Sequence, residues 1–546
     1  MTHQTTIRPY LRQAYFFGLM LLAVSLTLSP FMMSMAQFWL VVVWVFDGVF
    51  GQDFKAKWNR FIHNKAAVLM VAFYLLHLVG LLYTSDFQYA LKDLRVKLPI
   101  LILPFVLSSM EPLDRKHTDL LLNVYVFSVF VATLFSFCRY VRHDYDDIRE
   151  ISRFISHIRF CLHIVFCMAI IGYYVYNKRV SKGKGVPAFG MKVVLDYALM
   201  WFLLFWFGYQ IFIFESLSGY VILAAVVLVS LIYVFFQWRR ERVWRLVFGV
   251  SVLAVIVIGA VVVSHRVRPL LQVDSVDFSA LDQNTAQGNP YWHDTVYNPV
   301  EDGKYVGLYY CRKELQEAWP LRSDLPLEGT TLNGENLEAT LVRYLTSKDL
   351  RKDAEGVAAL TDEDIHNIEQ GIANYNNWRH PGLRSRLSVT LFEYNMYRKF
   401  NNPNGGSLSQ RIEFTRAAFH IIRKHPLFGV GTGDVPKAFL QAYDEIQSPL
   451  KEEFRFRAHN QYFTIMIAFG VVGLALFLVV LFLPCFSFNK RYTYLNIVFF
   501  CIMALSMLPE DTLETQAGAT LFAFFYAFLM LAVPQEADTQ KENSPQ

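Results

Sequence analysis

RAHNQYFTIMIAFGVVGLALFLVVLFLP, residues 457–484, changes character at one point. Arg457-Ala458-His459-Asn460 is polar, and from 461 to 484 no charged side chain occurs. A helix rises about 1.5 Å per residue, so ~20 apolar residues cross a hydrocarbon core of ~30 Å. The stretch therefore predicts a transmembrane helix that begins just past His459, leaving the imidazole at the membrane surface. Working outward, similar blocks occur near 13–29, 31–50, 66–83, 97–110, 119–138, 157–176, 193–213, 217–237, 244–264, 492–508 and 515–533. With 461–484 they predict a polytopic α-helical membrane protein of about twelve spans. The shortest, 97–110, contains Pro99 and Pro104, which a bundle tolerates where neighbours satisfy the freed carbonyls. The first block does not read as a cleaved signal peptide, because the next begins almost at once.

Composition agrees with that reading. The 546 residues are 54% hydrophobic and only 18% charged, which excludes a disordered chain, a collagen-like repeat and a disulfide scaffold. So much apolar surface also argues against a fully soluble enzyme, and a net charge of +5 gives no reason to expect a nucleic-acid partner. Lys and Arg set the orientation. With a cytoplasmic N-terminus, the short inner segments hold 20 Lys and Arg and the short outer loops hold 8. The alternation survives every short loop, so both termini are expected in the cytoplasm.

The division expected is 1–264 for spans one to nine, 265–458 for a large outer, mainly helical loop domain, 459–534 for the last three spans, and 535–546 for a disordered cytoplasmic tail. A loop of nearly two hundred residues is long enough to bury a core. Its first half is acidic, with polar helices expected at 336–352 and 361–373 and turns at Asn289-Pro290 and Asp302-Gly303; its second half is basic. Cys311 is the only cysteine of the loop, so no disulfide forms within it and the thiol is expected to be buried and inert.

The chemistry-bearing residues cluster between 404 and 460. Ser407-Leu408-Ser409-Gln410 fits a capping box, which predicts a helix carrying Arg411 and Arg416 and ending at His425-Pro426. Next comes Leu427-Phe428-Gly429-Val430-Gly431-Thr432-Gly433-Asp434. It lacks the spacing and the preceding strand of a dinucleotide fingerprint. Gly429, Gly431 and Gly433 are expected to let the backbone turn or approach another element, and Asp434 to cap a helix at 435–446. Before the span at 461 stand Arg455, Arg457, His459 and Asn460. Imidazole accepts a proton near neutral pH, and guanidinium forks bind phosphate.

Taken together, Arg411, HPLFGVGTGD (425–434) and RAHNQYFTIMIAFGVVGLALF (457–477) resemble the O-antigen ligase family of bacterial envelope enzymes, which shares its core with O-antigen polymerases. The stretch YTSDFQYALKDL (83–94) is a weaker echo, and 270–375 has no counterpart in the better-known members. The resemblance implies a GT-C-like, metal-independent glycosyltransferase of the bacterial inner membrane that needs no cofactor. The donor it implies is a glycan on a polyprenyl diphosphate, and the acceptor a sugar of the lipid A core, on the periplasmic face. It makes His459 the base toward the acceptor hydroxyl and Arg411 the group that neutralises the leaving diphosphate, with Arg455, Arg457 and Arg159 as further diphosphate ligands. His425, Pro426, Gly429, Gly431, Gly433, Asp434 and Asn460 are the structural part of the motif. The family commonly places another Arg at the outer start of the eighth span. Here Glu215-Ser216-Leu217-Ser218-Gly219-Tyr220 holds none, and Arg159 is the first candidate to substitute. The competing readings are a polymerase of the same superfamily and, from another class, a transporter or flippase. The latter would need ionisable groups near the bilayer midplane, and the span interiors hold few.

Overall fold

The structure, a computed structural model, describes residues 2–142, 148–182, 191–237, 242–380, 382–486 and 493–531. The tail 535–546 and the loop cations Lys184, Arg239, Arg240, Lys490, Arg491 and Lys541 lie outside the described residues. By its internal contacts the chain forms two units. One comprises 1–245, 414–447 and 455–546, and the other 246–413 and 448–454.

The first unit contains α1 (Thr2–Leu28), α2 (Pro30–Gly51), α3 (Phe54–His63), α4 (Lys65–Val79), α5 (Phe87–Ser109), α6 (Arg115–Arg142), α7 (His157–Lys182), α8 (Met191–Phe214) and α9 (Leu217–Gln237). The second contains most of α10 (Arg242–Leu271), then α11 (Arg312–Ala318), α12 (Leu337–Ser347), α13 (Ala354–Ala358), α14 (Asp362–Glu369), α15 (Tyr375–Arg379) and α16 (Leu383–Phe400). α17 (Ser407–Lys424) starts in the second unit and ends in the first, which also takes α18 (Val435–Glu445), α19 (Gln461–Phe486), α20 (Thr493–Ser506) and α21 (Gln516–Leu531).

Among the described residues eight helices are long and apolar enough to cross a membrane: α1, α2, α4, α6, α7, α8, α9 and α19. The chain is a multi-pass helical membrane protein. Shorter apolar stretches lie on α10, α20 and α21. The twelfth expected stretch, 97–110, is the second half of a longer helix. α5 starts ten residues earlier, and its first half carries Lys92, Asp93, Arg95 and Lys97. Lys92 and Arg95 are exposed, and the two buried charges are tolerated because Lys97 pairs with Asp93 one turn away at 2.5 Å and with Glu514 at 2.9 Å. α5 packs along α21 and α4, and every side chain of α21 from Ala519 to Leu529 is buried. A helix apolar all round belongs in the middle of a bundle.

In the second unit a small core gathers around Trp319, with Leu315, Leu341, Tyr344, Leu345 and Ile368. Val300–Glu301 and Lys304–Tyr305 form a hairpin across Asp302 and Gly303, both at positive φ as a two-residue turn requires. The expected polar helices are present but shorter. α12 stops before Asp349, at φ +59°, and α14 stops before Gly371, at φ +86°. Cys311 is buried and free, and burial pushes its thiol up.

Asp364 ties α12 to α14. Its carboxylate accepts from Tyr344 Oη at 2.7 Å, Lys348 Nζ at 2.6 Å and Thr361 N at 2.8 Å, and forms a capping box with Thr361. Burial alone would raise this carboxyl, but Lys348 and those donors outweigh it and hold it at about 2. A depressed carboxylate adds stability above its unfolded pKa of ~3.9 and loses it as pH falls toward the folded value. Asp364→Asn is therefore expected to cost about 2 kcal/mol at neutral pH. Hydrogen exchange of the α12 and α14 amides at pH 6 reads that loss, and unchanged protection would contradict it.

Candidate active site at the start of α19

α19 is broken at Gly470, whose φ of +64° and ψ of −163° interrupt the helix. The break strands the Ile467 and Ala468 carbonyls, which in an unbroken helix would accept from the amides of 471 and 472. In a membrane such groups must find partners within the protein. Val430 N donates to the Ile467 carbonyl and Gly431 N to the Ala468 carbonyl, each at 2.9 Å, while Val471 N donates to the Pro426 carbonyl at 2.9 Å. The glycine-rich segment after His425, an exposed residue just beyond α17, is thus a backbone splint for a broken span.

The same segment holds the start of α5. Thr432 Oγ1 donates to the His77 carbonyl at 2.7 Å, and Gly433 N donates to Thr84 Oγ1 at 2.8 Å. A Cβ on Gly433 would overlap the Asp86 carbonyl oxygen. Asp434 sits at the N-cap of α18 but makes no side-chain cap bond there, which corrects the expectation that it caps that helix. Its carboxylate finds three closer donors on another segment: Ser85 N at 2.8 Å, Ser85 Oγ at 2.8 Å and Asp86 N at 2.9 Å. Burial acts to raise the carboxyl, and those donors overcome it to hold it below the usual range. Asp86 in turn caps α5 through Tyr89 N at 2.8 Å. The motif at 425–434 thereby fixes where Tyr89, Lys92, Asp93 and Val96 stand.

Those residues form one wall of a cavity of about 530 Å³. Arg159 of α7, Phe439 of α18, the strap Arg455–Arg457, His459 and the Glu510–Thr515 turn complete it. His459 has φ +47°, a conformation uncommon for a side chain other than glycine or asparagine. Its ring lies 5.6 Å from that of Phe414 and 6.4 Å from that of Phe456, centroid to centroid. No hydrogen bond to the imidazole occurs among the described residues. Asn460 holds the turn, accepting from Phe463 N at 3.1 Å and donating to the Leu508 carbonyl at 2.9 Å.

The cations of the cavity differ in what they already hold. Arg455 donates to Asp444 at 2.6 Å. Arg457 donates to Tyr89 Oη at 3.0 Å and to Glu514 at 3.1 Å. Arg159 makes no ion pair among the described residues, and its Nε is buried without a partner. Arg411 is not one of the residues lining this cavity. It belongs to the second unit, half-buried on α17, three residues before Phe414 and so on the same helical face.

Behind the cations is a carboxylate that sequence reasoning missed. Glu514 is buried and accepts from Lys97 Nζ, Arg457 and Gln461 Nε2, the last at 3.0 Å. Burial pushes its carboxyl up, but Lys97 and Arg457 prevail and hold it well below the usual range. Burial also depresses Arg457, and Glu514 and Asp511 more than reverse that. Asp511 accepts from Thr464 at 2.9 Å, and burial raises its carboxyl. The only sequence signal was LPEDTLE (508–514), an acidic run between two apolar blocks.

Residues 367–478 match the family model described as O-antigen ligase. Over that stretch, about a fifth of the chain, the sequence is similar to the O-antigen ligase family. The matched stretch contains α17, the 425–434 splint, the strap, His459 and α19 as far as residue 478, with its break at Gly470, while Arg159, α5 and the Glu514 turn lie outside it. No curated protein sequence matches the chain significantly. Among the described residues no group of three or more His, Cys, Asp or Glu is arranged to hold a metal ion.

Proposed function

We propose that the protein is a glycosyltransferase of the ligase type, moving a glycan from a polyprenyl diphosphate to a sugar hydroxyl of a lipid A-core acceptor. The observation that carries this reading is an imidazole with unengaged nitrogens in the same cavity wall as a guanidinium with an unpartnered Nε. In the reaction the acceptor oxygen bonds to the anomeric carbon of the donor, and the bond from that carbon to the diphosphate oxygen breaks. The acceptor proton passes to His459, and the electron pair leaves on the polyprenyl diphosphate. Arg159 and Lys92 meet the developing negative charge, while Arg457, already held by Glu514, gives the cavity a fixed positive edge. The sequence resemblance makes Arg411 a further candidate to neutralise the leaving diphosphate.

The charge pattern of the loops supports a periplasmic site. Tyr89 to Val96, Arg159, His459 and Glu510 to Thr515 come from four segments separated in sequence, and the Lys/Arg bias assigns all four to the outer side. This gives an inner-membrane protein with both termini in the cytoplasm.

A null strain tests the function. Long glycan should accumulate on the carrier lipid and disappear from the lipid A-linked fraction, and the chain expressed in trans should restore it. Lipid A carrying single repeat units in the null strain would instead mark a polymerase. An unchanged glycan profile would remove glycan transfer altogether.

A further inference from the structure

A second cavity, of about 800 Å³, opens in the first unit at the other end of α5. It lies where α1 and α6 begin and α2 and α5 end, about 20–30 Å along α5 from the candidate active site. α1, α2 and α6 are among the membrane-crossing helices and these are their ends, so the cavity stands at headgroup depth on the opposite membrane face. Its walls carry both signs of charge. Arg8 donates to Asp53 Oδ2 at 2.9 Å, Arg60 Nε to the Ser109 carbonyl at 2.6 Å, and Arg12 pairs with Glu111. A guanidinium has five N–H donors, so each of these arginines keeps several beyond those bonds.

Two polar atoms in these walls have no partner. Tyr15 is 3% exposed, yet among the described residues its hydroxyl makes no hydrogen bond, and the buried Asp53 Oδ1 has no partner there either. Leaving a buried polar group without a partner forfeits its hydration with nothing in return, so an occupant is called for. The two orphans ask for opposite things. Asp53 Oδ1 needs a donor, and a cationic one suits it best. Tyr15, beside the arginines, suits an anionic acceptor. Phe16, Met20 and Leu113 give the cavity an apolar side.

We propose that this cavity binds the headgroup of a zwitterionic phospholipid with a primary ammonium, its phosphate against Arg8, Arg12 and Tyr15 and its ammonium against Asp53. The apolar side takes the glycerol and first acyl carbons. Phosphatidylglycerol has no cation for Asp53. Phosphatidylcholine has a cation but no N–H to donate.

Short-chain phosphatidylethanolamine, phosphatidylcholine, phosphatidylglycerol and free phosphoethanolamine, each titrated into the purified full-length protein, test this by thermal shift. Phosphatidylethanolamine should raise the melting temperature most. Tyr15→Phe should weaken its apparent affinity about tenfold, the loss of one charge-assisted bond. That variant removes a hydroxyl that bonds to nothing in the protein, so it should fold and keep its glycan transfer. Asp53→Asn should erase the preference for ethanolamine over choline. Equal shifts from all three lipids, or a Tyr15→Phe titration identical to the wild type, overturn the proposal. Free phosphoethanolamine binding as tightly as the lipid overturns the membrane source and leaves a soluble ligand.

Discussion

His459→Asn is expected to lower glycan transfer by about 10²–10⁴-fold, the usual contribution of a general base. Asn is the informative replacement because His459 sits at φ +47°, where asparagine is among the few side chains that the backbone accepts readily. His459→Ala mixes loss of the base with backbone strain, whereas His459→Asn removes the base and keeps the turn. Protein level in the membrane should therefore match the wild type. In vitro transfer from a polyprenyl-diphosphate glycan to a core acceptor reads the chemistry. A drop in kcat with KM unchanged is the expected pattern, since the proton moves only in the transition state. Transfer within threefold of wild type would take His459 out of the reaction.

Eight of the twelve expected spans correspond to helices long and apolar enough to cross a membrane among the described residues; each was legible because it needs only an apolar run, and the run at 461–484 announces itself without any partner. The start of α5 was not, since Asp93 and Lys97 look like a surface pair until Glu514, more than four hundred residues away, is seen between the helices. Periodicity cannot report such a partner. Asp434 failed for the same reason: a carboxylate before a helix reads as its cap, and the donors that won belong to Ser85 and Asp86. The glycines fared differently. Their spacing ruled out a nucleotide loop, but what they approach is a break at Gly470, and a glycine inside an apolar span gives no warning that the helix opens there. Arg455, Arg457 and Arg159 were equal candidates as letters. Only their neighbours separate them, two tied to carboxylates and one with an unpartnered Nε.

Glu514 gives the largest expected effect on stability. Asp93, Lys97, Glu514 and Arg457 alternate in sign along one line of ion pairs, buried except at the partly exposed Arg457 end, where Asp511 also acts, and the four charges of the line sum to zero. The Glu514 side chain is 3% exposed, and so is that of Lys97. Glu514→Gln leaves two cations facing one carboxylate, and Lys97→Met leaves two carboxylates facing one cation. Breaking a buried pair from one side typically costs about 3–5 kcal/mol, and each single variant should lose that much. The double variant Lys97→Met/Glu514→Gln restores neutrality, with Asp93 and Arg457 remaining. Its melting temperature should recover well beyond the sum of the two single losses, as coupled neighbours require. Activity should not recover with it. The neutral amide that replaces the Glu514 carboxylate no longer fixes Arg457 by charge. Arg457 stands two residues from His459, so the strap loses its anchor while the bundle stays folded. Recovery of stability without recovery of transfer separates a positioning carboxylate from a merely structural one. Purely additive losses in the double variant would show that Lys97 and Glu514 do not act as a unit, and wild-type transfer in that folded variant would free Arg457 from any need of Glu514.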